Sequence, residues 1–300
     1  MIRIGVDIGG TKTELIALAG DGVVLARRRE PTPGGDYPQA LERLAGLVLD
    51  LERTVGARCS VGVGTPGRVS RKTGLLSNAY ALAFNETPIQ RDLERLLART
   101  VRFANDANCF ALSEASDGAA KGARVVFGAI LGTGVGGGIV VDGKALEGAN
   151  AIAGEWGHNP LPWAGDAERP GPRCGCGRFG CIEAFLSGPG LARDHERHTG
   201  KILAPEAIVE GAEAGAADCL ASLSRYEMRL GKALAHIMNV IDPDVIVLGG
   251  GLSAARSLYQ NLPDRWNDHV YAGTVTTRLA SALHGDASGV RGAARLWPSA

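Results

Sequence analysis

Apolar and polar positions alternate from the start of the chain. Ile2, Ile4 and Val6 are spaced by Arg3 and Gly5, which predicts a strand. Residues 7–12 turn, and 13–18 predict a return strand. Asp21-Gly22 is a hairpin signal, so a third strand is expected at 23–25. From Tyr37 the period changes. Leu41, Leu44, Val48, Leu51 and Val55 step by three and four, which predicts an amphipathic helix. A strand at 60–64 closes in Thr65-Pro66-Gly67, and Ile89, Leu93, Leu96 and Leu97 mark another helix. The apolar run at 101–104 reads as a buried strand that meets Asn105-Asp106-Ala107-Asn108, with a helix expected at 109–118.

The second half repeats the opening. A strand at 125–131 is followed by a glycine loop at 132–138, a return strand at 139–141 and the turn Asp142-Gly143. Residues 151–181 are rich in Gly, Pro and Cys and show no period, so a functional insert or metal-held loop is expected. Leu220 to Ile241 predicts a long helix. An apolar strand at 244–248 runs into Gly249-Gly250-Gly251. A last helix is expected from Ser288, capped by Asp286 or Ser288. This places an α/β domain at 1–120, with the terminal helix 288–300 packing back on it, and a second α/β domain at 121–287.

Three hundred residues suit two domains. Lys and Arg total 32, balanced by 32 Asp and Glu, and no basic block is present. That argues against a nucleic-acid partner. The longest uncharged apolar stretch is glycine-rich and falls short of a bilayer span, and no signal-peptide pattern opens the chain. A cytoplasmic protein without a membrane partner is expected. Six cysteines in that compartment point to thiols or a metal site.

Three stretches carry chemistry. Gly9-Gly10-Thr11-Lys12 follows a strand, and its glycines would let backbone N–H groups approach a phosphate; the same residues also fit an ordinary hairpin. Gly132-Thr133-Gly134-Val135-Gly136-Gly137 has the spacing of a dinucleotide fingerprint, but it opens a strand, so a phosphate hairpin fits better. Cys174, Cys176 and Cys181 lie within eight residues, separated by glycines. With His158, the nearest preceding histidine, they suit a tetrahedral zinc site. Glu155 and Glu183 flank that knuckle, as sugar contacts or as support for His158. Cys59, Cys109 and Cys219 are expected in the core, and His195, His198, His236, His269 and His284 at the surface or in caps. Asp106, alone at a strand-to-helix junction between two glycine loops, suits a general base; a plain helix N-cap is the competing reading.

Taken together, these residues resemble the ROK family of sugar kinases and sugar-responsive repressors. The resemblance rests on Asp7-Ile8-Gly9-Gly10-Thr11-Lys12, Asn105-Asp106-Ala107-Asn108, Leu131-Gly132-Thr133-Gly134, Glu155-Trp156-Gly157-His158, the cysteine knuckle with Ile182-Glu183, and residues 242–251. It implies an actin/hexokinase-like (ribonuclease H-like) α/β fold with two domains around a cleft. It implies ATP with Mg²⁺, a structural Zn²⁺ and a hexose substrate. Asp106 corresponds to the base. Asp7, Gly9, Gly10, Thr11, Lys12, Thr133, Gly134, Gly249, Gly250 and Gly251 correspond to ATP contacts. Asn78, Asn105, Asp106, Glu155, His158 and Glu183 correspond to sugar contacts, and His158, Cys174, Cys176 and Cys181 to zinc ligands. The first phosphate loop lies within ten residues of Met1, which disfavours a repressor's DNA-binding domain. A homodimer is implied. Residues 156–163 and 290–298 look most like fructokinases, with possible mannose use. N-acetylglucosamine or glucose kinase is the alternative within the class, and a non-catalytic sugar sensor the alternative outside it.

Overall fold

The computed structural model describes residues 1–79 and 81–298. The chain divides into two compact units. The first comprises Met1–Gly122, Gly138–Ala153 and the segment from Asp286 onward; the second comprises Ala123–Gly137 and Gly154–Gly285. Residues 138–153, expected within a second domain at 121–287, group with the first unit.

The first unit carries the strands β1 (Arg3–Ile8), β2 (Lys12–Leu18), β3 (Val24–Pro31), β4 (Ser60–Thr65), the short hairpin β5 (Arg68–Val69) and β6 (Leu76–Ser77), and β7 (Val101–Asn105). Its helices are α1 (Tyr37–Val55), α2 (Ile89–Leu97) and α3 (Asp106–Ser116). Five strands make one sheet in the order β3-β2-β1-β4-β7, antiparallel through the hairpins and parallel from β1 to β4 to β7. The period of two decides its faces. Ile4, Val6, Ile8, Leu15, Val61 and Val63 point into one core with Leu44, Val48, Leu51 and Leu93 of α1 and α2. Ile16 and Leu18 point the other way.

A second sheet follows the same plan. Its strands are β8 (Val125–Leu131), β9 (Val135–Val141), β10 (Lys144–Ala145), β11 (Val245–Gly249) and β12 (Arg278–Ser281), in the order β10-β9-β8-β11-β12. The two orders match position for position, so the internal repeat in the sequence is a repeat of topology. The second unit adds α4 (Ile182–Leu186), α5 (Gly188–Thr199), α6 (Pro205–Glu213), α7 (Ala217–Ile241) and α8 (Arg256–Asn267). The strand β9 begins at Val135, four residues before the expected start. Gly137 and Gly138 are strand residues, needed because a Cβ would strike the Trp156 ring at 2.7 Å or the Ala107 carbonyl at 2.2 Å.

The last helix, α9 (Ser288–Arg295), covers the second face of the first sheet, with Val290 and Ala294 against Ile16 and Leu18. Backbone meets backbone there. A Cβ on Gly5 or Gly62 would lie 2.0 Å from the Val290 carbonyl or 1.9 Å from that of Ala293. Neither Asp286 nor Ser288 caps α9. The N-cap position is Ala287, and the Ser288 hydroxyl instead donates to buried Glu114 at 2.7 Å. The helix ends at Arg295; Ser299 and Ala300 of the expected 288–300 span lie outside the described residues. No helix among the described residues is long and apolar enough to cross a membrane.

Candidate active site

In the first unit, the turn between β1 and β2 is closed by Gly9 N–H donating to the Lys12 carbonyl at 2.9 Å. A Cβ on Gly9 would sit 2.8 Å from that oxygen, so only glycine makes the turn. Thr32 braces it: its hydroxyl donates to the Gly9 carbonyl at 2.7 Å and its N–H to the Thr11 carbonyl at 3.0 Å. Gly10, Thr11 and Lys12 are left exposed.

At the junction of β7 and α3, Asp106 is not the helix cap. The N-cap is Asn105, whose Oδ1 accepts from Ala107 N–H at 2.9 Å. Asp106 is the first helical residue, and its Oδ1 accepts from the same N–H at 2.8 Å. Asn105 Nδ2 donates to the Gly67 carbonyl at 3.1 Å. Gly67 (φ +82°) lies against the backbone of Asn78, which itself has φ +62°. The Thr65-Pro66-Gly67 turn, Asn78, Asn105 and Asp106 are thus brought together.

Asp7 closes this group. Its carboxylate lies where a Cβ on Gly289, in the first turn of α9, would be 2.8 Å from Oδ2. Burial pushes the Asp7 carboxyl up to about 7, reinforced by the negative charges of Asp106 and Glu14 and opposed by Lys12. Glu14, the cross-strand partner of Asp7, is ion-paired with Arg27 and Arg29, both at 2.5 Å. No local motif announces this carboxylate cluster, because strand register and the α3 junction bring it together.

In the second unit, the turn between β8 and β9 is closed by Gly132 N–H donating to the Gly134 carbonyl at 3.0 Å, with Thr133 exposed. Gly250, at φ +81°, packs on the Leu131 backbone, where a Cβ would be 2.5 Å from the carbonyl oxygen. Thr133 and Gly251 line one cavity of about 210 Å³, together with Gly132, Leu252, Gly188, Pro189, Pro205 and Glu206. The last five were not foreseen. Ser187-Gly188-Pro189 was the available signal, since Ser at the N-cap followed by Pro in the first turn opens α5.

The cysteine knuckle forms. One ligand atom from each of His158, Cys174, Cys176 and Cys181 lies within 4.8 Å of all the others. Cys174 Sγ is 3.7 Å from His158 Nδ1, and Cys176 Sγ is 3.7 Å from Cys181 Sγ. A tetrahedral zinc with ordinary bond lengths gives edges of about 3.6 Å for sulfur–nitrogen and about 3.8 Å for sulfur–sulfur. The donor set therefore fits that ion and is too open for a disulfide. Glu183, two residues after Cys181, accepts from Val135 N–H at 3.0 Å through Oε2, and its Oε1 lies 3.6 Å from Cys174 Sγ. It joins the knuckle to the glycine turn. Glu155 is exposed, and its carbonyl accepts from His158 N–H at 3.3 Å.

Trp156 is buried. It packs edge-on to Phe127 and donates Nε1–H to the Gly136 carbonyl at 2.8 Å. Cys59, Cys109 and Cys219 are core residues as expected. His195 is not a surface residue: it is fully buried with Nδ1 3.0 Å from Ser222 Oγ, because α5 turns this side onto α7. His236 and His269 are not plain surface residues either, since both rings contact Trp163.

Two glycine hairpins on sheets of repeated topology place the chain in the hexokinase-like α/β fold class. The chain belongs to the ROK family, which it matches over residues 3–300. It is 41% identical to the N-acetyl-D-glucosamine kinase of Pectobacterium atrosepticum over 298 residues, 97% of either chain. It superimposes on a ROK hexokinase from Thermus thermophilus with a TM-score of 0.88 and 31% identity, covering 98% of this chain and 97% of that one. For a ROK family glucokinase from Streptomyces griseus, in complex with glucose and AMPPNP, the TM-score is 0.78 and the identity 26%, over the whole of both chains.

Proposed function

We propose that the protein is an N-acetyl-D-glucosamine kinase that transfers the γ-phosphate of ATP to the sugar's 6-hydroxyl. The observation that carries this reading is the 41% identity to an N-acetyl-D-glucosamine kinase over nearly the full length of both chains. The resemblance to fructokinases rested on residues 156–163 and 290–298. Trp156 is buried in packing, and the second stretch includes α9 on the first sheet. Such positions record how the fold packs and weigh little on which sugar is bound.

Asp106 accepts the proton of the 6-hydroxyl as the oxygen attacks the γ-phosphorus. Its share of the rate is roughly 10²–10⁴-fold, with the remainder from positioning and charge stabilisation. The backbone N–H groups of Gly9 to Lys12 and of Thr133-Gly134 hold the phosphates, and Gly249 to Gly251 flank the adenosine. Asp7 would hold Mg²⁺, which neutralises phosphate charge when bound. Asn78, Asn105, Glu155, His158 and Glu183 contact sugar hydroxyls. His158 serves both roles, since Nδ1 faces Cys174 and Nε2 is left for the sugar. The Cys₃His set would hold Zn²⁺ as a structural ion, with all four positions filled by protein.

The test is ADP release by purified protein with ATP, Mg²⁺ and a panel of N-acetylglucosamine, fructose, glucose and mannose. The expected result is the highest kcat/KM for N-acetylglucosamine. A preference for fructose would overturn the sugar assignment and leave the chemistry standing. Silence on all four would overturn the kinase reading.

A further inference from the structure

A cleft of about 830 Å³ lies in the first unit along β7, the open edge of the first sheet. Its size is that of a small-molecule site. Neither Asp106 nor Asp7 lines it. It follows a different face of α3, that of Asn105, Asn108 and Leu112. The opposing wall is the β9–β10 hairpin and the residues after it, with Gly143, Lys144, Ala145 and Glu147.

The lining is strongly one-signed. Arg68, Arg71, Arg102, Arg295 and Lys144 face a single carboxylate, Glu147. Arg71 is paired with Glu147 at 2.9 Å, and Arg295 with Asp117 at 2.6 Å. Among the described residues, Arg68, Arg102 and Lys144 have no carboxylate partner. Two of these are held in place without being neutralised. Arg68 Nη1 donates to the Asn150 carbonyl at 2.7 Å. Arg102 Nη1 donates to the Leu296 carbonyl at 2.5 Å, and its guanidinium stacks 4.2 Å from the Trp297 ring centroid. A guanidinium fixed through one nitrogen presents the others pre-organised for an anion.

The third observation is Asn108. It is 6% exposed, and its Oδ1 has no hydrogen-bond partner among the described residues. An orphaned buried acceptor is unfavourable, and a hydroxyl donor in the cleft would satisfy it. Cations that want phosphate and an acceptor that wants hydroxyl, in one cavity, specify a ligand carrying both.

We propose that this cleft is a second ligand site, adjoining the catalytic one at Thr65 and Asn105, that binds a phosphate monoester of a polyhydroxylated sugar. The phosphate lies among Arg68, Arg102 and Lys144, and a sugar hydroxyl donates to Asn108 Oδ1. Asn105 lines the cleft and caps α3, so the bound ester sits one residue from Asp106.

The experiment uses the full chain with its catalytic site filled by N-acetylglucosamine and a non-hydrolysable ATP analogue. N-acetylglucosamine 6-phosphate, fructose 6-phosphate and inorganic phosphate are titrated in by calorimetry. Expected is one further equivalent of a sugar phosphate, weakened at least about tenfold in Arg102→Gln and in Lys144→Gln, the loss of one charge-assisted contact. Both residues are exposed, so both variants should keep wild-type kcat and KM, which also certifies their fold. Three results overturn the proposal: no binding once the catalytic site is filled, equal binding by either variant, or inorganic phosphate binding as tightly as the esters.

Discussion

Asp7→Asn isolates the electrostatic cost of the carboxylate cluster. Asp7 titrates at about 7 in the folded chain, against an ordinary 3.8. Below pH 4 the group is protonated in both states and stability does not depend on it. Between pH 4 and 7 the unfolded chain has released the proton that the folded chain retains, so each step upward favours unfolding. Above 7 both states are ionised and the full penalty is present. A gap of roughly three units corresponds to about 4 kcal/mol, of which about 3 kcal/mol falls between pH 5 and 8. Asparagine cannot ionise, so the variant should escape this loss. The assay is urea unfolding of both proteins at pH 5, 6, 7 and 8, without nucleotide or Mg²⁺. Carboxylates held below their ordinary values, such as Asp117 between Arg291 and Arg295 and Asp194 between Arg225 and Arg229, lose their contribution only in more acid solution. The variant should gain about 3 kcal/mol on the wild type from pH 5 to pH 8; parallel profiles would refute a buried, proton-holding Asp7.

Asp106→Asn should lower kcat by roughly 10²–10⁴-fold, with sugar affinity by calorimetry changed less than tenfold; turnover within tenfold of wild type would remove Asp106 as the base. Cys176→Ser should lower the zinc content measured by atomic absorption from one equivalent to well below one. It should also weaken sugar affinity through His158, and full retention of metal would count against the knuckle. Gly292→Ala would place a Cβ 1.7 Å from the Cys109 carbonyl, where α9 crosses α3. It should destabilise the protein by several kcal/mol (about 3 or more), read as a lower thermal midpoint, since backbone on both sides must move.

Period and turn chemistry made most of the fold legible. The alternation at Ile4, Val6 and Ile8 and the three-four spacing of α1 each record one buried face, and burial is what the structure shows. Glycine was ambiguous. Gly9 and Gly250 mark turns, as the sequence suggested, whereas Gly137 and Gly138 are strand residues thinned for close packing. Nothing local distinguishes these roles. The knuckle was legible because its ligands are neighbours in sequence. The clustering of Asp7, Asp106 and Glu14 was not, since cross-strand register and the α3 junction create it. Which sugar is bound is not legible in the same way: Trp156 is distinctive as a residue, but it is buried as packing against Phe127.

The place of α9 bears on how the chain is made. The sheet of the first unit is complete in sequence by Asn105, yet the helix covering its second face begins at Ser288. At ordinary rates of synthesis, roughly ten to thirty seconds separate the two. During that interval Ile16 and Leu18 lack their partners, while all the residues of the second unit have been supplied. The unit that starts first finishes last. A nascent chain of this protein therefore carries an apolar surface open to chaperones until its final turn of helix is in place.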